Sequence, residues 1–301
     1  MKPGPVRTDL VDLDGPVHYA DYGGEGEPMV VVHGIGGSHL NCMLSAPQLT
    51  DRFHVYAVDL VGFGLTPLAG RRSSMLNNRK LVGAFVEQVA GSPATLLGHS
   101  LGGAVSMLLA ASDPGLVARL VLLDAAVGSI ASPLPPPMWT PVLGAMSRLP
   151  RASAGMVQAL VRVASAWATR EGLRRGAGDP RLLGVEMVEA HIALEHRRSR
   201  QPDAYLGYMQ AWRSMNDVVG DIDDFLATVV GKITAPALLL HGALDPIVAT
   251  EFASRVAGAK PGWTIEILDG VAHAPHMQRP DETARRVLSW VSSPAPAATP
   301  R

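Results

Sequence analysis

The sequence predicts an α/β protein built on a mostly parallel, eight-stranded sheet flanked by helices, and three observations lead there. Short apolar runs without polar alternation, Met29–Val32, Ala94–Leu97, Leu120–Leu123 and Pro236–Leu240, read as strands covered on both faces. Stretches of helical spacing separate several of them, as in Met75–Val89, where Leu81, Val82, Phe85, Val86 and Val89 share a face. The chain has 301 residues, 47% of them hydrophobic, enough for one large core carrying an insertion.

Taken in order, Thr8–Leu13 and Pro16–Tyr22 alternate around the turn dipeptide Asp14-Gly15, which predicts an antiparallel hairpin at the sheet edge. Met29–Val32 is the third strand; it ends in the glycine loop His33-Gly34-Ile35-Gly36-Gly37-Ser38, and His39–Leu49 can then start a helix. That loop is not a dinucleotide fingerprint, because the last glycine position is occupied by His39. Phe53–Val58 is the fourth strand, closed by Asp59-Leu60-Val61-Gly62-Phe63-Gly64. Asp at a strand end ordinarily hydrogen-bonds the backbone of its own turn, and that is the expected job of Asp59.

Ala94–Leu97 leads into Gly98-His99-Ser100-Leu101-Gly102-Gly103 and then into the helical run Ala104–Ala111. Glycines around Ser100 let the chain turn sharply and leave the hydroxyl exposed, with the next N–H at a helix N-terminus. Asp113-Pro114-Gly115 stops the helix, and Leu120–Leu123 forms the sixth strand, ending at Asp124.

Composition then changes. Residues 129–228 hold Pro133–Pro137 and helical stretches such as Met156–Trp167 and Leu182–Glu195, with no strand pattern. An insertion of roughly 100 residues is far longer than an ordinary connection and reads as a helical cap on the core. Its Met138, Met146, Met156, Met187, Met209, Met215, Trp139, Trp167 and Trp212 are expected mostly to pack the cap, with the remainder free to line a pocket. The core is thus expected in two parts, 1–128 and 229–292, before a Pro- and Ala-rich tail, 293–301, expected to be disordered. In the second part Pro236–Leu240 ends in His241-Gly242-Ala243-Leu244-Asp245, and Trp263–Leu268 ends in Asp269-Gly270-Val271-Ala272-His273. Asp281–Val291 closes the chain as a helix behind Pro280.

The formal net charge of -1 gives no electrostatic support for nucleic-acid binding. Cys42 is the only cysteine, so no internal disulfide is possible. The N-terminus lacks the apolar core of a signal peptide, and no run of about 18 apolar residues offers a membrane span. These features predict a soluble, cytoplasmic protein; whether it forms a homo-oligomer is left open. His191 and His196 are five apart and do not share a helix face as a zinc pair would, and neither a metal nor a cofactor is expected.

On these motifs the chain resembles the α/β-hydrolase family. The resemblance rests on Gly-x-Ser-x-Gly at Gly98–Gly102, His-Gly-x-Gly at His33–Gly36, Asp-x-x-Gly-x-Gly at Asp59–Gly64, His-Gly-x-x-Asp at His241–Asp245 and Gly-x-x-His at Gly270–His273. It implies a nucleophile at Ser100, a base at His273 and an acid at Asp245, in the chain order Ser, acid, His. It also implies an oxyanion hole from the backbone N–H groups of Ile35 and Leu101. Two rivals remain: Asp124 for the acid, since some relatives carry it after the sixth strand, and His276 for the base, although His276 is expected at the surface or behind the reacting groups. His33, His99 and His241 are expected to serve local hydrogen bonds at strand ends.

The chemistry so implied is acyl transfer from a small to medium hydrophobic ester to water, with activity falling on acidification as the base is protonated. Relatives that cleave carbon–carbon bonds of ring-fission products share the layout but usually carry Trp after the catalytic His, where this chain has Ala274. The same motifs are compatible with an acyltransferase, a cofactor-free perhydrolase or a non-catalytic ligand sensor on this fold.

Overall fold

The computed structural model describes residues 6–127, 166–167, 169–178, 183–201 and 204–293. The Pro133–Pro137 run, residues 156–165, Met138, Trp139, Met146 and the tail from 294 on lie outside the described residues.

Eight strands form one sheet in the order β1-β2-β4-β3-β5-β6-β7-β8. They are β1 (Arg7–Asp12), β2 (Pro16–Gly23), β3 (Glu27–Val32), β4 (Phe53–Val58), β5 (Ala94–His99), β6 (Val117–Leu123), β7 (Ala237–Gly242) and β8 (Thr264–Leu268). Every pairing from β4 to β8 is parallel, and β2 alone runs antiparallel to its neighbours, β1 and β4. The edge hairpin turns where predicted, with Asp14 at φ 57° and Gly15 at φ 115°, the paired left-handed residues that match strand twist.

The apolar runs are covered on both sides, as their composition requires. Val30, Val32, Leu96, Leu120, Leu122 and Leu239 enter one core layer, while Met29, Val31, Leu97, Val121, Leu123, Leu238 and Leu240 enter the other. Helix α1 (Met75–Phe85) and helix α2 (Leu101–Ser112) pack in the first layer. After β3 the chain goes outward to β4 and then returns to place β5 on the opposite side of β3. The loops leaving β3 and β5 therefore diverge at a topological switch point, where open parallel sheets form their crevices.

Helix α2 approaches this edge closely. A methyl group on Gly102 would lie 2.1 Å from the Val32 carbonyl oxygen, so only glycine lets the helix start there. Gly102→Ala is expected to cost about 2–3 kcal/mol in urea unfolding, and a loss below about 0.5 kcal/mol would mean the contact relaxes freely.

Between β6 and β7 the described residues form helices and no strand: residues 169–177, then α3 (Val185–Arg198), α4 (Ala204–Val219) and α5 (Ile222–Thr228). Helix α4 docks on the start of α1, with Gln210 Oε1 accepting from Ser73 N at 2.8 Å and Ser214 Oγ from Met75 N at 3.0 Å. Met187 and Met215 are buried, whereas Trp167 is half exposed. Helices α6 (Glu251–Ala259), α7 (Pro275–Gln278) and α8 (Pro280–Ser292) complete the chain.

One expected element is absent. His39–Leu49 forms two tight turns, His39–Cys42 and Ala46–Gln48, instead of a helix. Ser38 and Asn41 close the first turn reciprocally, and Pro47, which has no N–H to donate, sits inside the second.

Candidate active site

Strand β5 is buried along its whole length and delivers Ser100 to the switch-point edge. Ser100 has φ 51° and ψ -119°, an unfavourable backbone for a residue with a Cβ, and its surroundings hold it there. Its N–H donates to Leu123 O at 3.0 Å, while its own carbonyl accepts from Gly103 N at 2.9 Å and Ala126 N at 3.0 Å. The loop after β3 comes to meet it: a methyl on Gly34 would lie 3.0 Å from His99 Nδ1 and 3.1 Å from Ser100 Cβ. Ile35 follows in that loop, and Leu101 opens α2. Among the described residues neither N–H has a protein acceptor.

Asp245 and His273 leave the neighbouring strands β7 and β8. His273 Nδ1 lies 2.7 Å from Asp245 Oδ2, and Asp245 Oδ1 accepts from Ile247 N at 2.7 Å and Val248 N at 3.0 Å. Burial opposes the charge on Asp245, but the His273 hydrogen bond and charge and the two N–H donors hold its carboxyl below the usual carboxylate range. A proton on His273 Nδ1, facing a carboxylate, leaves the Nε2 lone pair as the basic site. His99, adjacent to Ser100, puts its Nε2 2.7 Å from the His273 carbonyl, and the two rings are 4.9 Å apart. The imidazole–carboxylate pair thus sits one histidine ring away from the elbow.

Asp59 is tied more widely than its position suggests. It accepts Leu65 N of its own turn at 2.8 Å, as expected, and also His39 N at 2.6 Å and the ring nitrogens of His18 at 2.8 Å and His39 at 3.0 Å. Burial opposes ionisation, yet the hydrogen bonds from His18 and His39 outweigh it and hold the carboxyl well below its usual range. One carboxylate thereby anchors the far end of the loop that carries Ile35. His33 anchors the near end, accepting Leu60 N at 3.0 Å on Nε2 and facing Gly34 O from Nδ1. Cys42 donates to His39 O at 3.3 Å, and burial pushes its thiol up to about 12, so it carries no nucleophilic thiolate.

Among the described residues, two groups bring three potential metal-binding side chains together, His18–His39–Asp59 and Asp124–His241–Asp245. In the first, four N–H donors occupy the carboxylate. In the second, both Asp245 oxygens are taken and His241 Nε2 is 3.0 Å from Val248 O. Neither offers a full set of free ligand lone pairs.

His276 is buried, at 1% exposure, which removes the surface alternative expected for it; it follows Pro275 at the start of α7, which turns the ring inward 4.6 Å from His99. Burial, with His273 and His191 nearby, lowers its proton affinity to a pKa of about 3, so it is neutral. Beside it an apolar cluster of Leu173, Ala177, Leu183 and Met187 from the insertion meets Ala274 and Met277. Arg198 ties α3 to the loop after β4 by donating to Gly62 O at 3.0 Å while its guanidinium lies over Phe63. Its buried role was not legible in the run Arg197-Arg198-Ser199-Arg200. The pairing of Asp124 with Asp245 is the other feature missed, because it needs the strand order as well as the motif.

The match of residues 29–286 to the model of the alpha/beta hydrolase family makes the chain a member of that family. It is 26% identical over 280 residues to the dihydrolipoyllysine-residue acetyltransferase component of the acetoin cleaving system of Pseudomonas putida, covering 91% of this chain and 66% of that one, just under two-thirds. It is 27% identical to the pimeloyl-[acyl-carrier protein] methyl ester esterase of Methylococcus capsulatus, covering 91% and 98%. The fold superposes on the meta-cleavage product hydrolase CumD of Pseudomonas fluorescens IP01 with a TM-score of 0.72 at 20% identity, covering 96% and 97%. Among the described residues no helix is long and apolar enough to cross a membrane.

Proposed function

We propose that this protein is a serine hydrolase that cleaves a carboxylic ester of a small to medium hydrophobic substrate. The observation that carries the reading is the 2.7 Å His273–Asp245 pair held one ring from a strained serine elbow. Ser100 Oγ attacks the acyl carbonyl as His273 Nε2 takes its proton, and Asp245 stabilises the imidazolium that results. The N–H groups of Ile35 and Leu101 hold the oxyanion. The alcohol leaves with the proton from His273, and the same imidazole then activates water to release the acid. The apolar cluster beside His273 favours a hydrophobic acyl or alcohol group. The insertion 129–228 acts as the cap, and the single buried thiol suits a reducing cytoplasm.

A fluorophosphonate probe is expected to label Ser100 and abolish activity, while the unlabelled enzyme shows steady turnover on an ester panel of graded chain length. The panel includes a ring-fission dienoate and alcohol and peroxide acceptors. Labelling without ester turnover, or faster cleavage of the dienoate, would reject the esterase reading.

A further inference from the structure

Asp124 is the carboxyl group that the proposed reaction leaves unused. It is fully buried directly after β6 and has φ 43°, in the left-handed region that a non-glycine residue occupies only when its neighbours impose it. Its N–H donates to Leu240 O at 3.0 Å, extending the β6–β7 ladder by one step. Gly242 N donates to Oδ1 at 2.8 Å, while Oδ2 is buried and has no partner among the described residues.

One carboxylate oxygen of Asp124, one of Asp245 and one ring nitrogen of His241 lie within 4.8 Å of one another. His241 Nδ1 is 3.7 Å from Asp124 and its Nε2 is 3.8 Å from Asp245. His241 brings no charge to balance them: its Nε2 proton points to Val248 O, and burial lowers the affinity of the ring for a second proton. Among the described residues the other titratable groups around the pair are His273, which bonds Asp245, and behind it the buried His99 and His276. Two carboxyl groups so close and so dry do not both ionise; they share a proton.

The donor count says which one keeps it. Asp245 accepts three N–H bonds and Asp124 accepts one, so the negative charge is better solvated on Asp245. We infer that Asp124 is a carboxylic acid at neutral pH, its Oδ2–H donating toward Asp245, and so acts as a positioning residue behind the His273–Asp245 pair. Burial, and then the charge of Asp245, hold Asp124 well above the usual carboxylate range, in the same direction. The catalytic part of this inference rests on the proposed triad; the shared proton does not.

Infrared spectra of the full chain at neutral pH test the proton directly. A carboxylic-acid C=O band is expected in the wild type and in Ser100→Ala, and is expected to be lost in Asp124→Asn. A wild-type-minus-Asp124→Asn difference spectrum without that band overturns the inference, whatever Ser100→Ala does to activity. Kinetics supply the second readout. Asn keeps both a donor and an acceptor and carries no charge, so kcat falls by less than about tenfold and the acid limb of kcat/KM stays in place. Were Asp124 ionised, the substitution would remove a charge that favours the imidazolium, and the limb would move to lower pH by about one unit or more, which also overturns the inference.

Discussion

Ser100→Ala is expected to lower kcat by about 10⁵-fold or more while leaving the circular dichroism spectrum and thermal unfolding close to wild type. The size follows from what is removed. Without the hydroxyl no acyl-enzyme forms, and the His273–Asp245 pair has no proton to take, so only substrate binding and the oxyanion donors remain. Stability is spared because the Ser100 backbone bonds to Leu123, Gly103 and Ala126 do not involve the side chain. Asp245→Asn is expected to cost about 10⁴-fold, since an amide at that position favours the wrong imidazole tautomer. Ester turnover of purified Ser100→Ala within tenfold of wild type would end the proposed mechanism.

Asp59→Ala is expected to destabilise the fold by about 3–5 kcal/mol, the range for removing one partner from a buried charged network. The N–H groups of His39 and Leu65 and the rings of His18 and His39 would lose their shared acceptor in the interior. The loss should depend on pH with a definite sign. The carboxyl of Asp59 is depressed in the folded chain, so the unfolded chain binds that proton more tightly. Its contribution is complete above the unfolded value, about 3.9, and fades as pH falls through the folded value. Urea unfolding of wild type and Asp59→Ala at neutral pH, then at successively lower pH below about 4, should show the gap narrowing. A gap that is small at neutral pH, or that widens in acid, contradicts this account. Turnover should drop as well, because the same carboxylate tethers the loop carrying Ile35.

Particular residues show where the sequence was readable. The runs at Met29–Val32, Ala94–Leu97 and Leu120–Leu123 marked central strands, because a strand covered on both faces cannot alternate. The helix expected from His39 failed because capping at Ser38 and Asn41 and the proline at 47 favour short turns, and periodicity does not weigh these. His276 was expected at the surface or behind the reacting groups, and its local sequence could not choose between them; the ring is buried because α7 starts at Pro275 and sets it against His99 at the end of β5.

Asp59 was read as a turn residue from its local motif, and that bond to Leu65 exists. Its two histidine partners come from β2 and from the turn after β3, at sequence separations of 41 and 20 residues. No local pattern encodes such a meeting. The same holds for Asp124, which looked like a competitor of Asp245 when each was seen only as an acid ending a strand.

By itself the sequence determined the class of fold, the strand ends and the glycines around Ser100, since burial on two faces and tight backbone turns restrict which residues can stand at each place. Only the tertiary structure decided that β3 and β5 are neighbours, that Asp59 gathers two distant histidines, and that Asp124 faces Asp245 across β6 and β7. Strand order and side-chain convergence arise from packing between segments far apart in the chain, and that information has no period or motif to carry it.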